Sequence, residues 1–156
     1  MDREKNGFAS EKAFAEMMEI LDGWQDDQQK IKQSFLKIKN MLLERENTSL
    51  DFKSRPGVSY SLRANFINLD GKKRALFALV DIIDDDPENR WLSICFYVET
   101  VSDPENIGNL VPQGIIGEDG YCFDLYEFDE SMVSYIEERV DEAYSYDITE
   151  DSDGGH

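Results

Sequence analysis

Apolar residues recur in a helical rhythm near the start of the chain. Phe14, Met17, Leu21 and Trp24 stand three, four and three residues apart, and the rhythm resumes at Ile31, Phe35, Ile38 and Leu42. Such spacing lines one face of an α-helix. With Gln28 included, a single phase runs from Phe14 to Leu42, which admits one helix of about 36 residues, roughly 54 Å long. A domain of this size is only about 40 Å across, so that helix would overhang unless a partner chain covered it. The other reading breaks the helix at Asp22-Gly23-Trp24. Gly23 suits the position just past a helix end, and Asp26 with Gln29 three residues on has the spacing of a capping box. The expected arrangement is therefore two helices, the first capped by Ser10 with Glu11 in its first turn.

The period then changes from 3.6 to 2. Val58, Tyr60, Leu62, Ala64 and Phe66 alternate with Ser59, Ser61, Arg63 and Asn65, the pattern of a half-buried strand. A turn signal at Asn68-Leu69-Asp70-Gly71 leads to the apolar run Arg74–Ile83, a central strand. Asp84-Asp85-Asp86-Pro87-Glu88-Asn89 ends it, and Arg90–Glu99 alternates again with Leu92, Ile94, Phe96 and Val98 on one face. A short strand at Thr48–Phe52 and another at Tyr121–Glu127 complete the set. Short turns between consecutive strands predict an antiparallel meander of four to five strands. Ser102–Gly120, with two prolines and four glycines, reads as a long packed loop or a lid. A last helix follows from Asp129 to Tyr144 on the stripe Val133, Ile136, Val140 and Ala143. The fold class expected is α+β: two N-terminal helices, the meander sheet, and a C-terminal helix packed on one face. In domain terms, residues 1–9 read as a flexible start, 10–146 as one domain and 147–156 as a disordered acidic tail.

Composition narrows the function classes. Hydrophobic residues make up 40% and aromatic residues 12% of the chain, too many for a disordered acidic chain and enough for a core. The start Met1-Asp2-Arg3-Glu4-Lys5 has no apolar stretch of signal-peptide type, and the longest apolar run, Ala75–Val80, is far short of a membrane span. No membrane partner is expected, and two cysteines, Cys95 and Cys122, lie in strand-like stretches and read as buried free thiols, which points to a reducing cytoplasm.

The formal net charge is −18, but it is unevenly spread: −5 over residues 1–27, +7 over 28–80 and −20 over 81–156. A chain so acidic repels nucleic acid over most of its surface, and the basic middle is the exception.

The chemistry is constrained chiefly by what is missing. The one histidine, His156, is the final residue given, so no held imidazole is available for a Ser-His-Asp or Cys-His system or for a zinc site. No glycine-rich phosphate loop follows a strand. No metal ligand set and no cofactor is expected. Asp84, Asp85 and Asp86 read as a solvated turn, since adjacent aspartates point apart and converge on no cation. Glu118, Asp119 and Asp124 offer paired carboxylates of the kind a metal-dependent hydrolase uses. Cys122, with no basic neighbour and with acids nearby, reads as a structural thiol.

The stretch Phe52–Leu69 has no acid at all. Lys53, Arg55, Ser59, Ser61, Arg63 and Asn65 are candidate ligand-binding residues there, because guanidinium forks and hydroxyls on one row suit an anion or nucleic acid. Lys30, Lys32, Lys37 and Lys39 on the second helix extend the same idea. Trp91 and Tyr97, on the strand face opposite Leu92 and Phe96, are candidate partner-binding residues.

In size, acidity and its helices flanking a sheet, the chain resembles the small acidic secretion chaperones of bacteria. That resemblance implies a dimer that binds another protein. The element order departs from theirs, with two leading helices and no helix at Ser102–Gly120. The expected function is a non-enzymatic interaction or regulatory module that binds another protein or itself, the self-contact running through residues 14–42. An anion or nucleic-acid binder using residues 52–74 ranks second and the carboxylate hydrolase third.

Overall fold

The computed structural model describes residues 7–25 and 27–146. Helix α1 (Glu11–Gly23) starts where Ser10 Oγ accepts the Ala13 amide at 3.0 Å, and it buries Ala13, Met17 and Leu21. The helix stops at Gly23, and Trp24 turns into extended backbone. Helix α2 (Ile31–Leu43) is separate, as expected, and its stripe Ile31, Phe35, Ile38 and Leu42 is buried. The shared phase thus places two short helices on one core. Asp26, expected as the second cap, lies outside the described residues. Asp27 holds that end instead, accepting the Lys32 amide at 2.9 Å and the Gln33 amide at 3.3 Å.

Six strands follow: β1 (Thr48–Arg55), β2 (Ser59–Phe66), β3 (Leu76–Ile83), β4 (Trp91–Tyr97), β5 (Asn109–Ile115) and β6 (Glu118–Leu125). All pairings are antiparallel, in the order β1-β2-β3-β4-β6-β5. The expected count of four to five is corrected to six. The strand missed is β5, inside the stretch read as a loop. Its Pro112 and Gly114 read as breakers, and its exposed residues show no alternation. An edge position tolerates both, because one side of the strand needs no ladder partner. Helix α3 (Glu130–Ser145) closes the described fold, with Asp129 accepting the Ser131 and Met132 amides at 3.0 and 3.3 Å.

All three helices pack on one sheet face. Their stripes meet Leu50, Phe52, Leu62, Ala64, Val80, Ile82, Leu92, Ile94, Phe96 and Phe123 in one continuous core. Residues 7–9, expected as part of a loose start, are tied down: Phe8 is buried against Phe14, and the Gly7 carbonyl and Ala9 amide bond Leu50 at 2.8 and 2.7 Å. Residues 1–6 and the acidic segment 147–156 lie outside the described residues. No described helix is long and apolar enough to cross a membrane.

Candidate functional site

The side chains that point away from the core form the helix-free face of the sheet, and the strand register arranges them in rows. One row runs Arg55, Ser59, Ile83, Trp91 across β1 to β4, with Tyr126 just past the end of β6. The next is Lys53, Ser61, Asp81, Ser93, Asp124, and the third Asp51, Arg63, Leu79, Cys95, Cys122. All six candidate ligand-binding residues and both aromatic candidates therefore share one surface, because the period-2 alternation of β2 and β4 sends them there.

The middle of that surface is a small second cluster of Leu76, Leu79, Cys95, Tyr97, Ile115 and Cys122, to which none of the described helices contributes a buried residue. Cys95 and Cys122, expected as free thiols, are joined in a disulfide. The register sets them directly opposite, Cα to Cα 4.1 Å apart, a juxtaposition of distant strands that spacing along the chain does not reveal. A disulfide-bonded pair gives no support to a reducing compartment. Ile115 reaches over the cluster from the β5–β6 hairpin. It seats against Gly120, where an added Cβ would come within 3.3 Å of its side chain.

Charge on this face is mixed. Asp51 stands opposite Arg63 and Asp81 opposite Ser61, so the three cations of the acid-free stretch share their surface with carboxylates from β1 and β3. Ser61, only 1% exposed, donates to Asp81. Loss of water pushes the Asp81 carboxyl up from the ordinary aspartate range, although Ser61, Arg55 and Arg63 all favour its ionised form. Asp124 is pushed up by the same cause, against hydrogen bonds from Ser93 and Tyr126. Arg63 Nε is buried with no hydrogen-bond partner among the described residues. Asn65 is half-buried farther along β2.

The two aromatic candidates differ. Trp91 is half-buried and stacks on Tyr126, 4.9 Å between ring centres, and Tyr126 is itself 60% exposed. Tyr97 is buried, with the Arg74 guanidinium 3.8 Å above its ring. Arg74 in turn holds Glu118 through two hydrogen bonds of 2.9 and 2.7 Å. Tyr126 was not singled out from sequence. Its place one residue past a strand, in phase with Asp124, was the available signal.

The remaining candidates do not converge. Glu118 is engaged by Arg74, Asp119 accepts the Gln113 amide at 3.1 Å, and Asp124 lies six residues down β6 from Glu118, about 20 Å at strand rise. Among the described residues no three of His, Cys, Asp or Glu group as metal ligands. The helix lysines do not extend the basic strand. Lys39 is buried, Lys37 lies 5.3 Å from the Phe128 ring centre, and Lys32 Nζ sits 3.4 Å from the Trp24 carbonyl, all on the helix side. Asp84, expected in a solvated turn, is only 3% exposed. It accepts from Arg90 Nε at 2.7 Å and from the Gly57 amide at 3.0 Å, while Asp85 and Asp86 do stay in water. A groove of about 340 Å³ beside this pair is lined by Glu16, Glu19, Tyr60 and Arg90, and its free charge is acidic.

Comparison with family models, with curated proteins and with solved structures finds no match.

Proposed function

We propose that the chain is a non-enzymatic protein-interaction module whose binding surface is the helix-free face of its sheet. One observation carries this reading: a stacked Trp91–Tyr126 pair stands beside Asp124 on a sheet face that none of the described helices covers. Stacked aromatics with a polar rim are the usual anchors of a protein interface. Two partly dehydrated carboxylates on the same face support it further. Dehydrating a charge costs stability, and such costs are kept where a group has a task. The apolar stripes of α1 and α2 are buried within the chain, so the partner surface is assigned to the sheet rather than to residues 14–42. The anion-binding reading ranks below this one, because Asp51 and Asp81 stand among Lys53, Arg55 and Arg63.

The test is site-specific photo-crosslinking in cells that express the protein. A photo-reactive residue replacing Tyr126 is expected to yield a discrete protein adduct. The same residue replacing Glu137, exposed on α3, is expected to yield none. Absence of any adduct at position 126 sinks the proposal.

A further inference from the structure

We infer that the partner of this face is a second copy of the same chain, docked face to face about a two-fold axis parallel to the strands. The inference rests on the reading of the face as an interaction surface, and names its occupant.

Charge is the first argument. In a chain of net charge −18, this face is close to balance: Lys53, Arg55, Arg63 and Arg74 stand against Asp51, Asp81, Glu99, Glu118 and Asp124. Two copies that meet elsewhere bring like charge together, and here they do not.

The order of those charges is the second argument. The cations lie on the β1–β2 side, and Asp124 lies on β6 at the other. A two-fold axis across the strands would lay β1 and β2 on their own copies, cation on cation. An axis along the strands, between β3 and β4, lays β2 over the partner's β6 and β3 over the partner's β4. Row then meets row in the same order. Ile83 falls on the copy's Trp91, and Asp81 on its Ser93. Arg55 and Arg63 flank its Asp124, and Arg63 Nε gains an acceptor it lacks among the described residues. Each of these contacts occurs twice, as an isologous interface requires.

Sedimentation velocity of the purified chain tests this, alone and as charge-swapped variants. The wild type is expected to associate to twice 18.0 kDa. Lys53→Glu with Arg55→Glu in one variant, and Asp124→Lys in another, should each weaken self-association at least about tenfold. The two variants mixed should regain wild-type affinity to within about threefold, because each then meets its complement at both ends. Circular dichroism verifies folding, and Tyr126→Lys replaces Asp124→Lys if that chain unfolds. A wild type that stays monomeric overturns the inference, as does a dimer indifferent to all these changes. A monomer that still gives a heterologous adduct through position 126 overturns the second copy alone and leaves the interaction surface standing. A monomer with no adduct removes both.

Discussion

On the helix side of the sheet, Asp84 and Asp103 each sit in a nest of donors. On the open side, Asp81 and Asp124 have a hydroxyl or two apiece and little water. Asp103 shows the first arrangement best. Burial alone would raise its carboxyl, yet Tyr135, the Gly108 amide, Tyr121 and the Ile107 amide all donate to it and hold it at about 2. Asp84 is likewise dehydrated and still lowered, by Arg90 first. Asp81 and Asp124 are dehydrated and raised. The same residue type is thus fully solvated by protein on one face and left short on the other. For these four aspartates, the donors on the helix side outweigh the loss of water and those on the open side do not.

The largest effect expected from this contrast is in packing. Phe123→Ala on the helix side, where the ring is fully buried, should cost about 4 kcal/mol in chemical denaturation. Tyr126→Ala on the open side should cost less than about 0.5 kcal/mol. Similar losses from the two would erase the distinction. Next comes the disulfide, whose cysteines lie 27 residues apart. Its reduction should remove about 3.5 kcal/mol in the chain-entropy account, read as a shift in denaturant midpoint with and without reductant.

Asp103→Asn should cost about 2 kcal/mol by weakening the hold on the Ser102–Gly108 loop. The pH dependence has a definite sign. Because Asp103 is lowered on folding, its contribution is complete above the ordinary aspartate range and is lost as pH falls from about 4 toward 2. The variant should lack that acid limb in a pH series of melts.

Asp81→Asn is expected to act the other way and least. A carboxyl raised on folding makes the protein most stable when protonated, and stability declines as pH climbs through the ordinary range toward the folded-state value. Removing the charge should therefore stabilise the chain at neutral pH, by less than about 1 kcal/mol, and flatten the slope over that climb. Destabilisation at neutral pH would show that Arg55 and Arg63 need Asp81 more than its burial costs.

Local pattern carried much of this architecture. The 3-4 spacing located both helix stripes, Gly23 marked their break, and alternation along β2 and β4 already separated Leu62 from Arg63 and Ile94 from Cys95. What stayed hidden depends on which strands meet. The pairing of Cys95 with Cys122, of Trp91 with Tyr126 and of Arg63 with Asp51 follows from register between strands, and single-chain periodicity carries no register. Strand β5 was hidden for a different reason. An exposed edge needs no apolar alternation, and Pro112 is harmless there. Asp84 looked solvated because its neighbours are, and only the fold brings Arg90 and Gly57 to it.

The order β1-β2-β3-β4-β6-β5 has a consequence for how the chain reaches this state. Four of its five pairings join neighbours in sequence, and loops of that length close fast and at small entropic cost. The exception is β4 with β6, which requires the β5–β6 hairpin to come back past its own first strand. That step has the highest sequence separation in the sheet and belongs late in folding. It is also the step the Cys95–Cys122 bond spans. Once oxidised, the chain need not search for that pairing again, and an unfolding molecule that opens its hairpins still keeps the register of the slowest one. The crosslink thus serves as a memory of topology, and the oxidised chain should refold faster than the reduced one.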